Sequence, residues 1–348
     1  MNVLLTGGMG YIGSHTAVTL AAAGHKVVLY DNLCNSSASV TRRIAEIVGQ
    51  EVPFIHGDIR DTALLYDTLR DEGIEAVIHF AGLKAVGESV DQPINYYANN
   101  VQGTISLLQA MHAAGLTTLV FSSSATVYGD PQYLPIDEAH PTSPINPYGR
   151  TKVHIEELLR DVSISDTRWR VCCLRYFNPV GAHSSGLIGE DPSGVPNNLM
   201  PYVAQVAVRK RDRLKVFGND YNTADGTGVR DYIHVMDLAE GHLAALKFLQ
   251  LQSGWHAINL GTGRGHSVLE MIRAFEAASG NSIPFQIVPR RTGDIATCFA
   301  KVDSAWTRLG WKAERTIEDM CSSAWYRQVR LESQWIGFAS HSRSESNL

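Results

Sequence analysis

Tyr148 and Lys152 stand four residues apart in the stretch Asn146-Pro147-Tyr148-Gly149-Arg150-Thr151-Lys152. Asn146 suits an N-cap and Pro147 the first helical position, so both side chains fall on one face at a helix start. A phenol titrates near pH 10, and using its anion as a base at neutral pH takes a shift of about three units, about 4 kcal/mol. An ammonium about 4 Å away, at an effective dielectric of about 20, supplies about that much. The pair therefore reads as a tuned acid–base centre. The same spacing occurs on ordinary helices, so the reading depends on what surrounds the pair.

That context begins at residue 2. The apolar run Asn2–Leu5 is a buried strand, glycines follow at 7, 10 and 13 with Gly8 in the same turn, and Thr16–Ala23 is helical. Lys26–Tyr30 is a second strand. In such a strand–turn–helix–strand unit one glycine permits the tight turn, one admits a pyrophosphate and one allows close helix–strand packing. The helix N-terminus offers free N–H groups to the anion. The spacing is G-x-x-G-x-x-G rather than G-x-G-x-x-G. Asp31 follows eighteen residues after Gly13. A carboxylate there accepts from both ribose hydroxyls and repels a 2′-phosphate, which favours NAD over NADP. The nearest arginines, Arg42 and Arg43, lie well beyond it.

Strands at 52–56, 76–80, 118–122 and 171–176 continue the pattern, with helices at 62–72, 91–114 and onward from Lys152 to about Val162. The strands end in small or polar residues. The carboxyl ends of a doubly wound parallel sheet form its ligand crevice, so Asp58, Phe80–Lys84 and Ser122–Thr126 should line one cleft with Gly7–Gly13. Asp58 and Lys84 could equally be solvated loop charges. After Phe177 the composition turns to Gly, Pro, Asn and Ser as far as Pro196, which marks a domain boundary. The expected organisation is a first domain over 1–178, joined again by segments near 229–250, a second over 179–335, and a flexible tail over 336–348. In the second, Asn197–Arg209 and 237–249 are expected helices and Ala257–Gly261 a strand. Arg230 and Arg291 could bind a diphosphate, although each could be a surface ion pair.

A chain of 348 residues, 44% hydrophobic and 19% charged, is an ordinary globular protein with room for one large or two medium domains. A net charge of −5 offers no basic field to nucleic acid or acidic membranes. The chain enters a strand at once without a charged leader, and no apolar run spans a bilayer. Five cysteines match no metal spacing, so no metal site is expected, and reduced thiols in the cytoplasm are the expectation. The adjacent Cys172 and Cys173 read as core packing.

With these residues in view, the chain resembles the UDP-glucose (UDP-galactose) 4-epimerases of the extended short-chain dehydrogenase/reductase family, to about residue 330. The likeness rests on Thr6–His15, Asp31–Ser36, His79–Ser89, Ser122–Gly129, the Tyr148/Lys152 pair, Arg175–Ala182 and Gly226–Val235. It implies a Rossmann-type α/β fold with a smaller α/β substrate-binding domain, a tightly bound NAD and a homodimer. The helices at 91–114 and 151–162 could form the dimer face. Cofactor contacts implied by the matching positions are Tyr11 and Ile12 beside Gly7, Gly10 and Gly13, then Asp31, Asn32, Leu33, Cys34, Asn35 and Ser36. They continue with Asp58, Ile59, Phe80, Ala81, Gly82, Leu83, Lys84, Asn99, Ser124, Tyr148, Lys152 and Phe177. The implied base is Tyr148, assisted by Lys152 and Ser124. Nucleotide-sugar contacts fall on Ser124, Tyr148, Asn178, Asn198, Leu199, Phe217, Arg230, Arg291, Asp294 and Cys298. The implied reaction interconverts UDP-glucose and UDP-galactose by reversible oxidation at sugar carbon 4.

One position departs from many bacterial members, which carry a bulky tyrosine where this chain has Cys298. Members with a small residue there resemble enzymes that also epimerise UDP-N-acetylhexosamines, so dual substrate use, or even a preference for UDP-N-acetylglucosamine, is expected. A plain packing role for Cys298 is the alternative. A nucleotide-sugar 4,6-dehydratase is the nearest rival. Its relatives carry Asp-Glu directly after the active-site Ser/Thr, whereas Ala125-Thr126-Val127-Tyr128 offers no carboxylate there. A decarboxylating or net-reducing relative would exchange NADH stoichiometrically. A non-catalytic NAD-responsive protein would tend to lose the Tyr/Lys pair that this chain keeps.

Overall fold

The computed structural model describes residues 1–344 other than 193, 195 and 292, with side chains as far as 333. Its strands, in chain order, are β1 (Asn2–Thr6), β2 (Lys26–Asp31), β3 (Phe54–His56), β4 (Ala76–His79), β5 (Thr118–Ser124), β6 (Arg170–Tyr176), β7 (Asn178–Val180) and β8 (Leu214–Phe217). They continue as β9 (Val229–His234), β10 (Gly254–Leu260), β11 (Gly265–Ser267), β12 (Phe285–Val288) and β13 (Thr297–Cys298). The helices are α1 (Tyr11–Ala22), α2 (Ser39–Val48), α3 (Thr62–Asp71), α4 (Val86–Asp91), α5 (Pro93–Tyr96) and α6 (Gln102–Ala113). After them come α7 (Pro147–Ser165), α8 (Leu199–Ala207), α9 (Val235–Leu251), α10 (Val268–Ser279) and α11 (Ile317–Ser344).

Seven strands pair into one parallel sheet in the order β10-β6-β5-β4-β1-β2-β3, the doubly wound arrangement that the apolar runs call for. Its centre is continuous hydrocarbon: Val3, Leu4, Leu5, Val77 and Ile78 are fully buried. Helices α1 and α9 cover one face, while α3, α6 and α7 cover the other. Leu238, Ala245, Leu246 and Leu249 of α9 join the core of the first face. The strand expected at Ala257–Gly261 begins earlier, at Gly254, and extends the same sheet beside β6. Beyond Phe177 two small sheets form. β9 pairs with β7, β11 and β13, and β12 pairs with β8. These pack with α8, α10 and α11 around Met200, Val216, Tyr232 and Phe275.

Two expectations change. The single helix over 91–114 is broken: α4 ends at Asp91, Pro93 starts α5, and a π-helical turn at Tyr97–Val101 precedes α6. Proline suits a first helical turn and not an interior, and a π turn re-aims the side chains inside it. The stretch from 336, expected as a flexible tail, continues α11 to Ser344, and the last four residues lie outside the described ones.

Candidate active site

The glycine turn divides the labour among its members. Gly7 has φ +69° and lies so close to the loop after β4 that a Cβ on it would stand 2.6 Å from the Ala81 nitrogen. Gly13 is equally confined, since a Cβ on it would run into the Gly7 oxygen. Gly10 is the open one: its Cβ would meet only the Gly7 oxygen, at 3.2 Å. It is the N-cap of α1 and makes no side-chain cap, so the N–H groups of Tyr11 and Ile12 in the first turn face whatever lies ahead of the helix. Asp31, buried at the end of β2, accepts from the Met9 N–H at 3.0 Å, the Leu33 N–H at 2.9 Å and the Ser36 hydroxyl at 3.0 Å. These bonds fix its carboxylate beside the glycine turn. Asn32 donates to Asp58 at 3.1 Å and, through its own oxygen, accepts the Cys34 N–H. Cys34 and Asn35 are exposed on the same loop. The Arg60 guanidinium, bidentate on Asp58 at 2.8 Å, holds that carboxyl well below its usual range. Ile59 turns inward, buried where Gly103 leaves room for it. Open N–H donors at a helix start and a carboxylate acceptor at the end of the next strand form a set that fits a dinucleotide.

The loop after β4 carries Phe80 to Lys84. Asn100 pins it, accepting the Leu83 N–H at 2.8 Å and donating to the Leu83 carbonyl at 3.0 Å. Asn100 also takes a bond from Asn99 at 2.9 Å and gives one to Thr151 at 3.3 Å. The π turn is what aims this pair of asparagines at the loop. A smooth helix gave no reason to single out Asn100. Phe80 packs on the His242 ring, with centroids 4.8 Å apart.

Tyr148 lies in the first turn of α7, where Asn146 accepts the Gly149 N–H at 2.8 Å as the N-cap. Lys152 is buried one turn on. Its Nζ donates to the Ser122 carbonyl at 2.6 Å and sits 4.7 Å from the Phe121 ring centroid and 5.7 Å from that of Tyr148. The expected lowering of the phenol is not what the protein alone produces. Burial pushes Tyr148 up to about 12, with Ser124 pulling the other way. Burial also pushes Lys152 down to about 8, with the Glu156 carboxylate opposing. Both shifts have the loss of water around the buried pair as their leading cause. Ser124 ends β5, and its oxygen accepts from the N–H and hydroxyl of Thr126 at 3.2 and 3.0 Å.

Beneath this group runs a buried polar chain. Glu156, one turn beyond Lys152, accepts the Ser123 hydroxyl at 2.5 Å and a bidentate Arg175. Arg175 also donates to the Tyr128 hydroxyl at 3.0 Å, which donates to Asn259 on β10 at 2.6 Å. Glu156 falls four residues after Lys152, but nothing in the sequence shows what it touches.

Across the cleft, Phe177 is buried beside Cys298, Val127 and Tyr128. Cys298 on β13 stands opposite Arg230 on β9, and Asn178 on β7 stands opposite Tyr232. The Arg230 guanidinium bonds the Val229 carbonyl at 2.9 Å. Next to it Asp231 is fully buried and accepts from Thr262, Gly263 and Ala300, which locks β9 to the neighbouring turns. Arg291 lies 4.0 Å over the Phe217 ring, with its Nε 3.5 Å from Asp294. Asn198 and Leu199 stand at the start of α8. Tyr11 ties the two sides, donating to the Gly181 carbonyl at 2.7 Å.

A family model described as "GDP-mannose 4,6 dehydratase" matches residues 4–324. The UDP-glucose 4-epimerase of Bacillus subtilis is 56% identical over 325 residues, 93% of this chain and 96% of its own. The chain belongs to the UDP-glucose 4-epimerase family. Among solved structures of that family, the epimerase of Stenotrophomonas maltophila with bound NAD and formylated UDP-arabinopyranose superposes with a TM-score of 0.94 at 52% identity, covering 96% of this chain and 99% of that one. The Bifidobacterium longum epimerase in complex with NAD+ and UDP gives 0.92 at 52% identity, covering 95% and 98%. Family membership outranks the name of the broader family model, because 56% identity extends over 93% of the chain, and the turn after β5, Ala125–Val127, carries no acid.

Proposed function

We propose that this protein interconverts UDP-glucose and UDP-galactose with a resident NAD, the division of labour following the two sides of the cleft. Residues 1–178 and the 229–250 return form the cofactor domain, and 179–335 the UDP-sugar domain. The observation that carries the reading is Tyr148 and Ser124 meeting above a buried Lys152 at the carboxyl ends of β5 and β6, beside a glycine turn built for a pyrophosphate. Gly10, Tyr11, Ile12, Asp31, Asp58, Lys84 and Asn99 would hold NAD. When bound, the cofactor supplies a positive ring and an acceptor that takes and returns hydride at sugar carbon 4. Tyr148 takes the proton of the sugar 4-hydroxyl and later gives it back. Ser124 steadies the oxygen on which charge changes. Arg291, Phe217, Arg230 and Asn178 anchor UDP while the hexose stays loosely held and can present either face. A coupled assay on purified protein tests this: UDP-galactose is expected to become UDP-glucose without net NADH, and a protein that leaves it unchanged refutes the reading.

Cys298 is small and sits beside Phe177, which supports UDP-N-acetylglucosamine as a second substrate. Its conversion is expected in the wild type, and Cys298→Tyr is expected to cut that rate about tenfold or more while sparing UDP-galactose. No activity on the acetylated sugar in the wild type sinks the idea. Among the described residues no helix is long and apolar enough to cross a membrane, and no group of three metal-ligating side chains forms. All five cysteines are unpaired, which supports a cytoplasmic setting. The exposed Val90, Ile94 and Tyr97, beside α7, support a homodimer through that face. Sedimentation of wild type against Ile94→Asp checks it, and a wild-type monomer rules it out.

A further inference from the structure

One carboxylate outside the roles above touches both sides of the cleft. Glu190 follows the loop from β7 toward α8, and its side chain is only 11% exposed. The same oxygen, Oε1, accepts from Lys84 Nζ at 3.3 Å and from Asn198 Nδ2 at 2.5 Å. Lys84 comes from the loop after β4, on the cofactor side, and Asn198 from the start of α8, on the sugar side. Two further observations make this more than a chance surface pair. Asn198 is the N-cap of α8 and asparagine is among the best capping residues, yet its side chain makes no cap bond. Its amide is turned to Glu190 instead, which leaves its Oδ1 as the end available to a ligand. Glu190 also lines a cavity of about 20 Å³ with Tyr11, Gly181 and Arg327, at the seam where Tyr11 is bonded to Gly181.

We propose that Glu190 is a positioning residue that couples the cofactor and UDP-sugar sites by orienting Lys84 and Asn198 through one shared oxygen. Without it Lys84, half exposed on a long stem, has many rotamers to choose from, and the Asn198 amide is free to turn back and cap its own helix. Charge-assisted bonds of this kind are the stronger class, so losing the charge and losing the acceptor should have separable effects.

The inference rests on the epimerase reading and is tested on holoenzyme as purified. Glu190→Gln keeps an acceptor for Asn198 and removes the charge facing Lys84. It is expected to release NAD several-fold faster on dilution and to raise the KM for UDP-galactose only about twofold to threefold. Glu190→Ala removes both and is expected to raise KM about tenfold, with kcat falling less than KM rises. Placing Glu190→Gln on a Lys84→Met background should add nothing to cofactor loss, because the partner is already gone. Asp191→Asn loosens the neighbouring contact to Arg327 without touching Lys84 or Asn198, and should leave KM and NAD retention as in the wild type. Wild-type KM and retention in Glu190→Ala would overturn the proposal. So would equal shifts in Asp191→Asn, which would make the loop as a whole responsible. Failure of the wild type to epimerise UDP-galactose would instead refute the activity on which the proposal stands.

Discussion

The two sides of the cleft are made of different material. The proposed cofactor side is assembled from the ends of β1, β2, β4 and β5, strands whose residues are almost wholly buried, and from a turn in which a Cβ on Gly7, Gly8 or Gly13 would stand within 3 Å of backbone. The sugar side is assembled from short strands and loops, with exposed cations paired to exposed carboxylates: Arg290 to Asp220 and Arg291 to Asp294. A rigid rim suits a ligand that stays. A rim of stacked rings and adjustable charges suits one that must arrive, be gripped at one end and leave. The proposed chemistry sits at the join, on α7, whose body is fastened to the sheet through Glu156 and Arg175.

The largest expected effect is at that join. Tyr148→Phe removes the only proton-carrying group in its place and is expected to lower kcat by about 10³-fold, with UDP-sugar affinity nearly unchanged. Burial pushes the phenol up to about 12, so in the proposed role the bound ligands supply its acidity. Titrating Tyr148 by ultraviolet difference spectra, with and without NAD and UDP-sugar, is expected to show a downward move on binding. A phenol that does not move would break the account of the base.

Next in size is the scaffold of the cofactor side. Glu156 and Arg175 are about 5% exposed, and removing one partner of such a pair costs about 3–5 kcal/mol. Glu156→Gln should therefore lower the urea midpoint far more than any substitution in the Arg290–Asp220 pair, which should cost less than about 1 kcal/mol. Equal costs would erase the contrast between the two sides.

Acid should discriminate in the same direction. Burial lowers His15 and His79 to about 3, and His234 and His242 to about 4. Each is neutral in the fold, so the unfolded chain takes up the proton first. Their contribution is intact above about pH 6.5 and is lost as pH falls from there toward 4, at about 1.4 kcal/mol per imidazole per pH unit. Urea midpoints measured between pH 7 and pH 4.5 check this. A flat profile would mean that these rings are not held neutral.

How much of this could be read from the chain follows the same division. Parallel strands announce themselves as uninterrupted apolar runs, and their ends mark a crevice, so Asp31, Asp58 and Ser124 could be placed before any coordinates. Asn146 and Pro147 fixed the start of α7 and with it the face shared by Tyr148 and Lys152. The direction of the Tyr148 shift could not be read, because it depends on burial, which is tertiary. Asn100 was hidden by a π turn that no 3.6-residue period reveals. Glu190 and Glu156 were invisible for a related reason: a lone acid in a loop or on a helix reads as a solvated charge until its distant partners are known. The Gly254–Leu260 strand was recognisable in part, but its place beside β6 is a pairing across some eighty residues that local pattern does not encode.

The smallest effect belongs to the sugar rim and is the most discriminating for it. Arg291 lies 4.0 Å above Phe217 and is 55% exposed, so its fold-stabilising value is slight. Lysine keeps the charge and loses the planar fork that stacks on a ring and grips a phosphate by two bonds. Arg291→Lys should raise the KM for UDP-galactose about threefold to tenfold, with kcat and the urea midpoint close to the wild type. A lower kcat at fixed KM would place Arg291 with the chemistry at the join and not with the grip. An unchanged KM would make it the surface ion pair with Asp294 that its spacing also allows, and the anchoring of UDP would then fall to Arg230 and Asn178.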